Sequence, residues 1–274
     1  MRFNLNRKVV ALVATGCLMA AIAAPAEAVS VSIPVGLTMP NFSDDAEEQT
    51  VVSDSLSKVP GWVGTNSSDI EMGQEDAGGA ANGCMDGVPC EAANPMIAGF
   101  RFLNIPVPQG ATITGASIQF TSDEPDKNSF PANFRITGEL QPDTATFVQP
   151  NSTVANFNIS SRNRTVGTVA WNPDPWVAAG LSGPAQLTSD IASLVQEIVD
   201  QPLWLSGNSM VFIVEGSRYD GFEGNRTTNS QRDNAADPVA VLNLEYVPEP
   251  SALVLSLMAM VALVSRSRSK VRGV

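Results

Sequence analysis

The acidic run Asp44-Asp45-Ala46-Glu47-Glu48 is the densest concentration of charge in the sequence, and it supplies three of five carboxylates that are the best candidates for metal binding. Asp44, Asp45 and Glu47 lie within four positions, and Asp69 and Glu71 are two positions apart, which places them on one face of a strand. A smaller cluster occupies a predicted turn and consists of Asp123, Glu124 and Asp126. Calcium takes roughly six to eight oxygen ligands, many of them carboxylates on loops. The sequence predicts a calcium site on the first five residues, with a solvated acidic surface as the alternative.

Two tryptophans are candidates for stacking against sugar rings. Trp171 and Trp176 flank the turn sequence NPDP, which supplies the polar neighbours Asn172 and Asp174. A tryptophan face can bind a sugar only when it is exposed, whereas large aromatic residues are more often part of the core. The sequence leaves both alternatives open, glycan stacking and core packing.

The composition argues against catalysis and against nucleic-acid binding. The chain has 274 residues and no histidine, which excludes Ser-His-Asp and Cys-His machinery and imidazole-bound zinc. The net charge of −12 gives no basic surface to neutralise phosphates. A glycosidase needs only two carboxylates, but no motif pairs two of them. We expect a protein that is not an enzyme, with a polysaccharide-acting enzyme as the less favoured alternative.

Two cysteines remain after removal of a predicted leader that contains Cys17. Cys84 and Cys90 lie in the sequence GCMDGVPC, inside a long loop rich in Gly, Ala and acidic residues. An even cysteine count in an oxidising compartment favours a local disulfide, and two cysteines alone do not make a zinc site.

The N-terminus has the pattern of a secretory signal peptide. A basic start is followed by an apolar run from Val9 to Ala24 and by the small-x-small sequence Ala26-Glu27-Ala28. We expect cleavage after Ala28 and export through the Sec translocon. A lipoprotein signal ending at Cys17 and an uncleaved membrane anchor are the alternatives.

The C-terminus has three consecutive parts. Pro248-Glu249-Pro250 precedes the apolar run from Ala252 to Val264, which a basic tail follows. The cations of that tail are Arg266, Arg268, Lys270 and Arg272. Basic residues after an apolar run favour a stop-transfer helix with its tail in the cytoplasm.

These three parts resemble the PEP-CTERM sorting signal, over residues 248–274. The resemblance implies processing by an exosortase, a membrane cysteine peptidase, in a bacterium that makes exopolysaccharide. It implies transient anchoring in the inner membrane and a final place at the cell surface or outside the cell. An ordinary single-span anchor is the alternative.

The body between the two signals, residues 29–247, is strongly acidic. Of the 28 acidic residues of the chain, all but Glu27 and Glu249 lie in the body. Of the 16 basic residues, three lie in the leader and four in the tail. The body therefore has a net charge of about −17. At 43% hydrophobic and 16% charged, the chain is nevertheless too apolar for an acidic disordered protein. We expect a soluble domain that binds anionic polymers only through bridging cations.

Alternating apolar residues predict seven strands in this body. The predicted strands are Val29–Leu37, Met96–Ile105, Thr112–Thr121, Phe134–Leu140, Thr165–Trp171, Ser209–Glu215 and Val239–Val247. Gly115 interrupts the third strand and suggests a bulge or a kink. One helix is predicted where apolar residues recur at helical spacing between Ile191 and Val199, with Thr188 or Ser189 as its cap. The fold class is therefore all-β, a jelly-roll-like sandwich with one amphipathic helix over an end or edge.

Several segments of the body resemble DNRLRE-like or disaggregatase-related β-sandwich domains. They are RFLNIPVPQGATITGASIQFTSDEP, VAWNPDPW, LTSDIASLVQEIVDQPLWLSGNSMVFIVEGS and VLNLEYV. The likeness implies a jelly roll and a glycan-binding or adhesive role. The expected protein is an exported, non-catalytic surface or matrix component that associates with exopolysaccharide, and a purely structural envelope protein is the alternative.

Overall fold

A computed structural model of the chain describes residues 27–36, 42–50, 59–74, 95–126, 130–150, 154–216, 224–232 and 238–249. These residues belong to one structural unit, residues 26–249. Eleven strands lie in the described residues: β1 Val29–Pro34, β2 Asp45–Gln49, β3 Val63–Gly64, β4 Asp69–Gln74, β5 Pro95–Phe102, β6 Thr112–Gln119, β7 Phe134–Gly138, β8 Val169–Trp171, β9 Met210–Gly216, β10 Arg226–Asn229 and β11 Val241–Val247. They also contain one α-helix, α1 Ala192–Val199, and a short 3-10 helix, Pro184–Gln186.

The described strands form two antiparallel sheets, as an all-β sandwich requires. The small sheet has the order β1-β11-β6, and the large sheet has the order β10-β4-β5-β9-β7-β8, with β2 paired to β5 and to β3. Each of the seven predicted strands overlaps an observed strand, and the predicted helix is present. The sequence prediction of a mainly β protein with one short helix is confirmed.

The large sheet is buried on both faces, which explains why its central strands are continuous apolar runs. In β9, Phe212 faces the core shared with the small sheet and α1, and Ile213 faces a second apolar cluster on the other side. Phe147 belongs to this second cluster and packs over Gly99 of β5. A Cβ at position 99 would lie 2.5 Å from the Phe147 ring, so glycine permits this close approach.

The segment that leads into α1 covers the outer edge of the small sheet. The side chains of Thr188 and Asp190 accept the backbone N–H groups of Ile118 and Ala116 in β6, at 2.9 and 3.0 Å. Gln196 of the helix accepts a third N–H of the same strand at 2.8 Å. This arrangement agrees with the expected placement of the helix at a sheet edge, where it satisfies donors that would otherwise be open.

Neither Thr188 nor Ser189, the predicted cap residues, caps the helix. The cap position is Ile191, which makes no side-chain cap hydrogen bond. Thr188 is engaged with β6, and Asp190 Oδ1 accepts the N–H of Ala192 at 2.9 Å instead. The acidic side chain therefore performs the capping role from one position earlier.

The predicted bulge at Gly115 is confirmed. Glu245 of β11 lies opposite Gly115, whereas Tyr246 lies opposite Ile113, so Thr114 has no residue opposite it. An extra residue of this kind bends the strand and increases its twist.

None of the described segments forms a helix with the length and hydropathy that a bilayer span requires.

Candidate functional site

The outer face of the small sheet carries two rows of polar residues and one glycine across its three strands. One row joins Ser30 of β1, Glu245 of β11 and Gly115 of β6 through the strand register. The neighbouring row joins Ser32, Asn243 and Ser117 in the same way. Because adjacent strands lie about 4.8 Å apart, each row is about 10 Å long.

These rows form the floor of a groove with a volume of about 490 Å³. The segment before α1 forms one wall, where Leu187 and Asp190 line the groove. The hydroxyl of Ser32 donates to Asn243 Oδ1 at 2.7 Å, which orients the Asn243 amide in the middle of the floor. The groove thus presents hydroxyl and amide groups, which can donate and accept hydrogen bonds, and carboxylates, which accept them.

Gly115 keeps one end of the floor free of side-chain bulk. The three atoms nearest to a Cβ built there all belong to the Glu245 side chain and lie 3.5 Å or more away, which is ordinary van der Waals contact. A larger residue at position 115 would therefore fill the groove without straining the backbone. This property makes Gly115 the most useful position for testing the groove.

The predicted calcium residues Asp44, Asp45 and Glu47 lie on or beside β2, a strand that pairs with both β5 and β3 and is buried along its whole length. The expected solvated acidic surface is therefore wrong for these three carboxylates. Asp44 is fully buried and forms an ion pair with Arg101, with 2.6 Å between Oδ1 and Nη1. Glu48 Oε2, on the same strand, accepts the backbone N–H of Ser160 at 2.8 Å.

The carboxyl group of Asp45 is strongly perturbed by its surroundings. Burial raises the pKa of its carboxyl from 3.8 to about 7, and repulsion from Asp44 and Glu47 adds to the effect. The backbone N–H of Gln231 donates to Asp45 Oδ2 at 2.7 Å and opposes that increase. Near neutral pH, the protonated and ionised forms of Asp45 therefore coexist.

The other two predicted ligands lie on β4, next in space to β2. Glu71 is buried, and its backbone N–H donates to Glu47 Oε2 at 3.4 Å. Asp69 Oδ1 accepts the hydroxyls of Ser67 and Ser68 at 3.2 and 3.4 Å. Within the described part of the chain, no set of three or more Asp, Glu, Cys or His side chains is arranged to hold a metal ion. Calcium binding stays a prediction.

The smaller acidic cluster contains a second buried ion pair. Asp126 Oδ2 lies 3.0 Å from Nη1 of Arg226, whose side chain is 1% exposed. Burial raises the pKa of Asp126 to about 6, while Arg226 and the backbone N–H of Trp176 lower it. The remaining Arg226 nitrogens donate to the carbonyls of Pro173 and Asp174. This cluster ties the NPDP turn to β10.

Glycan stacking on Trp171 and Trp176 is wrong, because both side chains belong to the core. They are 3% and 0% exposed, and both rings lie against Phe120. Their indole nitrogens donate to the backbone carbonyls of Leu187 and Ala185 at 3.0 and 2.9 Å. No face of either ring is open to a sugar.

Some of the other predicted residues lie outside the described ranges. Pro248 and Glu249 follow β11 directly, whereas Pro250 and the basic tail fall outside. The same holds for Cys84 and Cys90, so the disulfide stays a prediction.

The sequence contained one signal for the groove. The alternation V-S-V-S in β1 and N-L-E in β11 predicts strands with one polar face. That signal does not show that the two polar faces lie side by side.

No protein-family model and no curated protein matches the sequence.

Proposed function

We propose that this chain is an exported, non-catalytic surface or matrix protein whose β-sandwich binds exopolysaccharide. The observation that supports the proposal is the polar groove on the small sheet. Its hydroxyl, amide and carboxylate groups suit the hydroxyl-rich surface of a sugar chain. The groove takes the place of the two buried tryptophans as the glycan site.

The proposal includes the two processing signals of the sequence. The leader directs the chain through the Sec translocon, and an exosortase processes the PEP-CTERM segment after transient anchoring in the inner membrane. The body has a jelly-roll-like topology, as the resemblance to DNRLRE-like domains implies. Calcium bound by the acidic residues of β2 and β4 would stabilise the large-sheet layer, which does not line the groove.

Co-sedimentation with the host's own exopolysaccharide tests the groove. The protein purified from its exporting host is compared with Gly115→Thr, which places a side chain in the floor, and with Gly183→Thr as the matched control. Gly183 lies outside the groove, has a φ of −133°, and a Cβ there would meet only Gln186 Oε1 at 3.7 Å.

We expect binding by the native protein and by Gly183→Thr, and at least a tenfold loss for Gly115→Thr. Circular dichroism melts of both variants verify that they are folded. Absence of binding by the native protein would leave the purely structural envelope protein as the better description. Equal binding by both variants would place the glycan elsewhere on the surface.

A further inference from the structure

The small-sheet side of the sandwich carries no basic residue in its regular elements. β1, β6, β11 and α1 contain no lysine or arginine, and neither does the segment from Pro184 to Ile191 that borders the groove. The described arginines lie on strands of the large sheet or in their connections, and they are Arg101, Arg135, Arg162, Arg164, Arg226 and Arg232. Among the described residues, the basic side chains therefore lie on the large-sheet side of the sandwich.

The charged residues that line the groove are both acidic. Glu245 is exposed at the centre of its polar row, and Asp190 lies at the wall. Asp190 is held in place because its Oδ1 accepts the N–H groups of Ala116 and Ala192 at 3.0 and 2.9 Å. Like charges at close range repel, and they repel more strongly near a protein surface than in bulk water. A uronate or sulfate group would be repelled here without any cation to pair with it.

We infer that the groove selects a neutral polysaccharide and binds it without a bridging cation. The inference rests on the proposed function and names its ligand class. An uncharged sugar chain supplies hydroxyl donors to Glu245 and both donors and acceptors to Ser30, Ser117 and Asn243. The rows are about 10 Å long, which favours a chain of several sugars over a single ring.

Calcium bridging does not suit this groove. A calcium ion needs roughly six to eight oxygen ligands, and the groove offers carboxylates only from Glu245 and from Asp190, whose Oδ1 already accepts two hydrogen bonds. The expected cation-mediated contact with an anionic polymer is therefore replaced by direct hydrogen bonding to a neutral one. A chelator should leave binding unchanged.

The experiment separates the host's exopolysaccharide by anion exchange into neutral and acidic fractions. Each fraction is immobilised, and the protein purified from its exporting host is applied with calcium and with a chelator. The variants are Gly115→Thr, Gly183→Thr and Glu245→Lys. The last variant places a cation in the middle of the groove.

We expect the native protein and Gly183→Thr to bind the neutral fraction equally with calcium or chelator. Gly115→Thr should lose at least tenfold in affinity, and Glu245→Lys should gain binding to the acidic fraction. Binding by the native protein to the acidic fraction alone, or binding abolished by the chelator, would overturn the inference and leave the proposed function standing. Binding to neither fraction would refute the proposed function itself.

Discussion

Replacement of Asp45 by asparagine should stabilise the protein at neutral and alkaline pH. Asparagine has nearly the same shape, and its Oδ1 can still accept the Gln231 N–H that donates to Asp45. The variant removes only the requirement to ionise a carboxyl group that is 2% exposed. The change therefore isolates the cost of a buried charge.

The sign and size of this effect follow from the raised pKa. Because the folded protein holds the Asp45 proton more tightly than the unfolded chain does, the native free energy of unfolding falls as pH rises between about 4 and 7. The pKa rises from 3.8 to about 7, which corresponds to about 4 kcal/mol at pH values above the folded pKa. Below pH 4 the carboxyl is neutral in both states, and the penalty disappears.

Urea unfolding of the native protein and of Asp45→Asn at acidic and at mildly alkaline pH measures the effect. We expect the variant's advantage in free energy of unfolding to grow by about 4 kcal/mol from the acidic to the alkaline condition. Asp174→Asn serves as control because it makes the same substitution at an exposed position. An advantage for Asp45→Asn that is equal at both pH values would refute the reasoning.

Three further changes test the remaining contacts. Arg101→Gln removes the guanidinium from the buried Asp44 carboxylate and should lower the free energy of unfolding, measured in urea, by about 3–5 kcal/mol. A decrease below about 1 kcal/mol would mean that the ion pair is well hydrated. Trp176→Ala should lower the free energy of unfolding by about 3–5 kcal/mol, while the folded fraction keeps its affinity for the polysaccharide. Lost affinity with an unchanged melting temperature would show that Trp176 belongs to the binding site after all. Glu48→Ala removes the β2 carboxylate that accepts the Ser160 N–H of the loop over the second apolar cluster. Hydrogen exchange at the Ser160 amide should therefore accelerate. Unchanged protection of this amide would count against the contact.

The strand and helix predictions succeeded where one physical rule dominates the local pattern. β1 and β11 alternate because one face is buried and the other is open to solvent. α1 has apolar residues at helical spacing because one stripe contacts the core. These periodicities depend only on neighbours along the chain, so the sequence contains them completely.

The acidic strand β2 could not be predicted by the same rules. Four carboxylates within five positions indicate a solvated segment, yet Asp44 to Glu48 are buried. Their burial is possible because Arg101 and distant backbone N–H groups satisfy the carboxylates. The partners of Asp44, Asp45 and Glu48 lie 57 to 186 positions away along the chain, so no local sequence pattern predicts them.

The sequence by itself determined the export and sorting hypotheses, the mainly β class, the single helix and the bulge at Gly115, because each depends on local composition or periodicity. Only the tertiary structure decided which polar residues are exposed together. It buried Trp171 and Trp176, and it brought Ser30, Gly115 and Glu245 into one row across three strands. Register between strands far apart in sequence is set by the packing of the whole core, and the groove exists only after that packing is complete.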